Sequence, residues 1–514
     1  MSSRADGAVA GVAAGAVTLG VAEVGAALLG RTVGSEGTPS PLLAVGGAFV
    51  DRTPAWLKDL AVTVFGTADK VALFVGMGLT LVIACAVLGE VAVRRRTVGL
   101  LLFALVGAVG MAAVLTRPGA SAADAVPTLL GVLAGLGVLA RLVAPATQPR
   151  SGMPSGATVP TRRSVLAWGG GLAVLGAVGI VAGRALARAG EVVEAAREAF
   201  RVPTVRRPVT VPAGAEQGVP GQATYLSPTD DFYRIDTALS VPQVDPATWR
   251  LRVHGMVDRE VEIDLEELLD QPMVEALVTL CCVSNTVGGS LVGNAVWTGW
   301  PVRELLERAG VQDGADMVLS TSTDGFTAGT PLEVLTDDRN ALLAVAMNGE
   351  PLPDRHGFPV RMVVPGLYGY VSATKWVVDL KVTTFAADEG YWTPRGWGER
   401  GPVKTASRID VPRAGADLAA GPTVIAGVAW AQHRGIDKVE LQVDDGPWEE
   451  AELALEPSVD SWRQWKLPWD PAQGEHTITV RATDGEGQTQ TSEEVGVIPD
   501  GATGWHRVEV SVGA

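Results

Sequence analysis

The chain has 514 residues, 47% of them hydrophobic, and a formal net charge of -16. Its length leaves room for several domains, and its apolar content is too high for a wholly soluble protein. The acidic balance argues against a nucleic-acid role, which needs a basic face, and three cysteines cannot build a disulfide framework.

Most of the apolar excess lies before residue 190. Ala/Gly/Leu/Val-rich runs at about 7–29, 70–92, 98–116, 124–145 and 164–186 each approach the roughly 20 residues that a spanning helix needs. Five transmembrane helices are therefore expected over residues 1–187, the first weakened by Glu23. Arg94, Arg95 and Arg96 close the second run, and Arg141, Arg150, Arg162 and Arg163 gather between the fourth and fifth. Basic residues stay on the cytoplasmic side, so the N-terminus is expected inside and everything after residue 187 outside. The paired Arg162 and Arg163 of PTRRSVLAWGGG read either as such a flank or as a twin-arginine export signal, which serves domains that fold around a cofactor before export. All five histidines follow the last run and no CxxCH occurs, so no haem is expected in this chain.

Residues 188–222 pass from a helix-like GEVVEAAREAF into a Pro/Gly-rich stretch that reads as an extended linker. From 223 to 400, short apolar strands (WRLRVHGMV, VEIDL, ALVTLCCV, PVRMVVPG, KWVVDLKV) alternate with helical patterns such as PVRELLERAG and TPLEVL, which predicts an α+β domain. From 401 to 514 only strands occur (GPTVIAGVAW, KVELQVDDG, WRQWKLPWD, HTITVRATDGEG, WHRVEVSV), separated by DG and GEG turns; this spacing predicts an immunoglobulin-like sandwich.

Chemistry concentrates first in TLCCVSNTVGG, Thr279 to Gly289. Neighbouring cysteines pair poorly with each other, because a bridge between them distorts the intervening peptide. Strand alternation separates them: Cys281 is expected to pack, and Cys282 sits at a strand end where a thiolate is held by a rigid element yet open to a ligand. A small buried residue is the commoner fate of a free cysteine. Further on, NGEPLPDRHGFPVRMVVPGLYGYVSATKWV, Asn348 to Val377, offers close backbone approach with His356, Arg361 and Lys375 as donors for an anionic group. An ordinary turn-rich connector is the plainer reading of the same residues.

Taken together, TLCCVSN, VWTGWPVRELLERAGV, AVAMNGEPLPDRHGFPVRMVVPG and ATKWV resemble, in order, the molybdopterin-binding domain of the sulfite oxidase family over about 225–400. SRID, SWRQWKLPW and HTITVRATDG resemble the dimerisation domain that follows it there, and the N-terminal runs resemble the anchored bacterial members. The resemblance implies a molybdenum–molybdopterin cofactor and oxygen-atom transfer, with Cys282 as the metal ligand. It places His356, Arg361, Ala373, Thr374 and Lys375 on the pterin and its phosphate, Asp324 of STDGFTAG as an acidic contact, and Phe232, Tyr233 and Arg234 of DFYRID in an early cofactor segment, Arg234 also facing the metal. A small-molecule substrate such as sulfite, a separate electron carrier such as a cytochrome or a quinone-linked protein, and a homodimer through the C-terminal domain are implied with it.

Two departures bear on the substrate. The sulfite-oxidising members follow their cysteine loop with paired arginines, whereas Asn285 here precedes Thr286, Val287 and Gly288. The tyrosine region is altered as well, offering Tyr391, Arg395 and Trp397 in YWTPRGW. A sulfoxide-type reductase fed from the quinone pool is the alternative enzyme, and a surface binding protein that has lost the cofactor is the alternative from another class.

Overall fold

The computed structural model describes residues 4–32, 37–54, 57, 64, 69–117, 119–143, 162–188, 191–205 and 208–513. They fall into two units, residues 1–191 with 238–240, and residues 192–237 with 241–514.

The first unit is helical, with α1 (Arg4–Thr32), α2 (Pro41–Arg52), α3 (Asp69–Arg94), α4 (Arg96–Leu115), α5 (Ala125–Leu142) and α6 (Arg162–Arg188). Five described stretches, 5–29, 70–94, 96–115, 122–142 and 167–185, are long and apolar enough to cross a membrane. Glycine lets α1 lie against three neighbours at backbone distance. A Cβ at Gly11 would stand 1.8 Å from the Cys85 carbonyl oxygen on α3, one at Gly131 of α5 would stand 2.3 Å from the Thr18 oxygen, and one at Gly176 of α6 would stand 2.3 Å from the Ala16 carbonyl carbon. Glu23 is buried, yet its Oε1 accepts from Ser40 Oγ (2.8 Å) and from Leu42 N (3.3 Å). Its charge thus meets the positive end of α2, a helix absent from the expected elements, and the carboxylate is compensated inside an apolar helix. Arg150 and the side chains of Arg162 and Arg163, on which part of the orientation argument and the export-signal reading rest, lie outside the described residues.

The second unit carries most of α7 (Glu191–Ala199) and then ten strands: β1 (Arg250–Gly255), β2 (Val261–Asp264), β3 (Val274–Cys281), β4 (Val292–Pro301), β5 (Met317–Ser322), β6 (Thr327–Pro331), β7 (Leu342–Met347), β8 (Glu350–Pro351), β9 (Arg361–Val363) and β10 (Val377–Thr383). They make two sheets, β2-β1-β10-β5-β6, mixed because β1 and β10 run parallel, and β3-β4-β7-β8 with β9 paired to β7. Three short helices accompany them: α8 (Leu265–Leu269), α9 (Val302–Ala309) and α10 (Glu333–Thr336). The pattern of α9 is legible: Val302, Leu305, Leu306 and Ala309 bury one face, and Gly310 ends the helix at φ 73°.

The C-terminal part is β-rich, as expected. Its strands are β11 (Ala406–Val411), β12 (Asp417–Leu418), β13 (Thr423–Trp430), β14 (Ile436–Val443), β15 (Trp448–Glu450), β16 (Glu452–Leu453), β17 (Arg463–Trp469), β18 (Gly474–Asp484) and β19 (His506–Val512). They form the sheets β11-β13-β17-β16 and β12-β19-β18-β14-β15. Ile409, Ile425 and Trp465 of the first sheet share one core with Val439, Leu441, Ile478, Val480, Val508 and Val510 of the second.

Residues 208–226, which include a single helical turn at Ala213–Ala215, are docked along the second unit. Val209 N donates to Glu275 Oε2 (2.7 Å), Leu455 N to the Gly214 oxygen (2.9 Å), Gln222 Nε2 to the Gly427 oxygen (2.8 Å) and Ala223 N to Asp410 Oδ2 (3.0 Å). Val209, Val211, Ala215 and Tyr225 supply the apolar surface that holds this strap down.

Candidate functional site

Strand alternation places the two cysteines. Along β3, Ala276, Val278 and Leu280 pack with Phe232, Trp297 and Phe358, whereas Leu277 and Cys281, with Val283 beyond the strand, pack with Tyr225, Tyr368, Trp430 and Trp462. Successive side chains of a strand point to opposite faces, so Cys282 falls on the Ala276 side. Its N still donates to the Leu291 oxygen (2.9 Å), which carries the antiparallel pairing one residue past the strand end. Both thiols are buried. The second face of β3 is held by the C-terminal part: Gln432 Nε2 donates to the Thr279 oxygen (2.8 Å), Trp462 N to Thr279 Oγ1 (2.7 Å) and Thr279 N to the Asp460 oxygen (2.9 Å).

The loop after Cys282 is pinned as well. Asn285 N donates to the Cys282 oxygen (3.0 Å), and Asn285 Oδ1 accepts from Leu291 N (2.8 Å). Gly288 lies against the His506 ring, where a Cβ would stand 2.2 Å from Nε2, at a φ of +73° that favours glycine. Arg408 Nη1 donates to the Gly289 oxygen (3.0 Å), its Nε held by Asp410 (2.6 Å).

On the Cys282 side, buried polar groups converge. Arg361, the first residue of β9, donates from Nη1 to the His356 oxygen (3.2 Å) and lies 4.9 Å over the Trp297 ring. Lys375 Nζ donates to Asp236 Oδ2 (2.9 Å) and to the Arg355 oxygen (3.3 Å); Arg234 Nε shares the same carboxylate oxygen (2.8 Å). Phe232 stacks on Tyr233 (5.3 Å) and meets Trp297 (5.7 Å) and His356 (5.8 Å) edge-on. A Cβ at Gly369 would lie 3.5 Å from Ala373 Cβ and 3.9 Å from both the Cys281 oxygen and Tyr233 Oη, so the DFYRID segment and the cysteine pair meet there. Thr374 is buried, its Oγ1 2.7 Å from Ser320 Oγ, and its oxygen accepts from Met362 N (2.8 Å).

Burial dominates the electrostatics. It raises the Cys282 thiol pKa, an effect opposed by hydrogen bonds with Ser284 and by the Lys375 charge. Burial and then Arg361 lower His356 to about 3, so its ring is neutral at physiological pH, and among the described residues its Nε2 has no hydrogen-bond partner. Burial lowers Arg361 to about 10 and Lys375 to about 8, the latter against the pull of Asp236. Burial, then the two cysteines, raises the Tyr233 phenol well above its ordinary value.

Asp324 is further along the same wall. Its Oδ1 accepts from Phe326 N (3.1 Å) inside a turn whose Thr323 N donates to the oxygen of Trp376, next to Lys375 (3.0 Å). The YWTPRGW segment packs on that turn: Tyr391 lies 5.9 Å from Phe326, and Arg395 stacks 3.8 Å over the Tyr391 ring. Three participants escape the sequence reading. Asp236 bridges Arg234 and Lys375, Trp297 underlies Arg361, and Tyr368 packs with Cys281. Only the FYRID pattern, which places an acid two residues after an arginine, hints at the first.

Comparison with known proteins gives a consistent picture. The oxidoreductase molybdopterin binding domain matches residues 238–392. Mitochondrial sulfite oxidase of Mus musculus is 31% identical over 345 residues, 56% of this chain and 62% of that protein. The uncharacterized oxidoreductase YuiH of Bacillus subtilis is 36% identical over 157 residues, 30% of this chain and 76% of that protein. Nitrate reductase [NADH] 1 of Oryza sativa is 34% identical over 179 residues, 30% of this chain and 19% of that protein. The chain thus spans 62% of the length of the mouse sulfite oxidase that it matches.

Proposed function

Because the chain belongs to the sulfite oxidase family of molybdopterin-binding oxidoreductases, we propose that its second unit holds the molybdenum cofactor and transfers an oxygen atom to or from a small molecule, with electrons passing to a separate carrier. The observation that carries this reading is the convergence of one buried thiol, Cys282, with the buried donors His356, Arg361 and Lys375. Among the described residues no group of three or more His, Cys, Asp or Glu side chains could hold a metal. A metal here would therefore take Cys282 from the chain and its other donors from the cofactor, and a soft thiolate suits molybdenum. The orphaned Nε2 of His356, whose ring meets Phe232 edge-on, fits a polar ring system better than an apolar filling.

When bound, the cofactor supplies two-electron oxygen-atom exchange; the chain supplies placement and field. Arg361 offers a forked cation, and Lys375 a point charge, to an anionic phosphate. Neutral His356 gives a hydrogen bond without adding charge. Ala373 and Thr374 would bring backbone close to the cofactor, Asp324 would offer it an acceptor, and Arg234, tethered by Asp236, would offer it a cation. Burial of Cys282 keeps water away from the sulfur.

We further infer that the five apolar helices anchor the chain in the cell membrane with the second unit outside, and that the C-terminal part is an immunoglobulin-like sandwich that dimerises the protein. A reductase of sulfoxides fed from the quinone pool is favoured over sulfite oxidation by one feature: Thr286 to Gly289 contains no basic side chain. Turnover of sulfite with an acceptor, set against methionine sulfoxide with a reduced dye, separates the two.

The decisive test of the common reading is metal analysis of the purified full chain from a cofactor-competent host. Wild type is expected to hold about one molybdenum per chain and Cys282→Ser almost none, with its thermal transition retained. A wild-type protein without molybdenum overturns the proposal.

A further inference from the structure

Two cations of the Cys282 site are buried on different terms. Arg361 leans on backbone, donating to the His356 oxygen (3.2 Å) and the Met362 oxygen (3.3 Å), and on the face of Trp297. A guanidinium starts so high that burial, which lowers Arg361 to about 10, leaves it charged at neutral pH. Lysine has no such margin. Full burial carries an ammonium down by up to about 3–5 pH units, which is enough to neutralise it.

Lys375 is 9% exposed, and Arg361 and Arg234 push its proton off in the same sense as burial does. Cys282 and His356 also sense its charge; burial raises the thiol and lowers the ring, so neither brings a compensating charge at neutral pH. Asp236 pulls the other way. Its side chain is 7% exposed, its Oδ2 accepts from Lys375 Nζ (2.9 Å), and its opposing pull leaves the lysine at about 8. The same oxygen accepts from Arg234 Nε (2.8 Å), so one carboxylate holds two like charges side by side, the lysine coming from 139 residues away.

We propose that Asp236 is a positioning residue of the site: its carboxylate keeps Lys375 cationic and aims it, with Arg234, at the anionic group of the cofactor. This rests on the oxidoreductase reading above for the identity of that group, but not for the charge relation between the two side chains.

An electrostatic role and a packing role differ in their pH dependence. Molybdenum retained by the purified full chain after dialysis is expected to fall with a midpoint of about 8 in wild type and about 1–3 pH units lower in Asp236→Asn. Asp236→Glu is expected to restore the wild-type midpoint. In a Lys375→Arg background, whose guanidinium stays charged, Asp236→Asn is expected to move nothing. A midpoint unmoved by Asp236→Asn, or a loss that is equal at every pH, overturns the proposal.

A second readout needs no cofactor. Between the folded lysine's pKa and its ordinary 10.5 the unfolded chain holds the extra proton, so stability relative to Lys375→Gln rises with pH across that interval. Thermal transitions of metal-free protein should show the rise beginning at about 8 with Asp236 in place and about 1–3 pH units lower in the Asp236→Asn background. If Asp236→Asn alone does not fold, adding Lys375→Gln, which removes the charge that needs the carboxylate, must restore the fold; failure to restore it overturns the proposal. Wild type without molybdenum sinks the oxidoreductase reading, whereas an onset that does not move sinks this one.

Discussion

Two buried bases in the site give up their protons at lower pH than free side chains would, and each makes a separate prediction. His356 is lowered from 6.5 to about 3 by burial and by Arg361. Between those values the unfolded chain binds a proton that the folded chain refuses, so stability falls as pH drops through this window, by up to roughly 1.4 kcal/mol per pH unit. Comparing chemical denaturation of wild type and His356→Gln from neutral pH to about pH 4 isolates this component, which should vanish in the variant. Lys375 is lowered from 10.5 to about 8 by burial. In that interval the unfolded chain again holds the extra proton, so folding stability from this group rises with pH, while its charge for an anionic cofactor is lost above about 8. Cofactor retention measured after dialysis should therefore fall through that range without a matching fall in melting temperature, and Lys375→Gln should show the low retention at every pH.

At the scale of elements, β3 explains why the adjacent cysteines have different fates. One of its faces packs on the core of Trp297 and Phe358, the other on Trp430 and Trp462, so a period of two sorts Cys282 to the cofactor side and Cys281 to the C-terminal side. Cys281→Ser should accordingly keep its molybdenum where Cys282→Ser loses it, a contrast that metal analysis reads directly. The strand's attachment to the C-terminal part is also testable. Gln432→Ala removes the donor to the Thr279 oxygen and leaves that buried carbonyl one partner short, at a cost of about 1–3 kcal/mol in denaturant unfolding. Several elements were readable as patterns: α9 through its amphipathic spacing, β1, β2, β10 and β13 through their apolar runs. The strands β5, β6 and β7 were not, because β7 is buried along its whole length, so it shows no alternation, and β5 and β6 are rich in Ser, Thr and Gly.

For the molecule as a whole, the helical unit and the site-bearing unit are built on different physics. Within the first, glycines let the helices approach at backbone distance. Gly11→Leu on α1 should split that packing, because the Cys85 carbonyl of α3 occupies the space; size-exclusion chromatography in detergent should show loss of the monodisperse species. In the second unit, the strap of residues 208–226 and the C-terminal sheets share a core with β3, so the loop after Cys282 is gripped by Arg408 and His506 from outside the α+β part.

The sequence by itself determined the apolar runs, the order α+β then all-β, and the candidate residues of the cysteine loop and of HGFPVR, because hydropathy, periodicity and short motifs are local properties. Tertiary structure alone decided which charges are already spent on one another. Asp236 claims both Arg234 and Lys375, Asp484 claims Arg434, and His356 is left with an orphaned nitrogen. Pairing and desolvation depend on residues brought together from distant parts of the chain, over a hundred positions apart for Asp236 and Lys375, and no local pattern encodes that meeting.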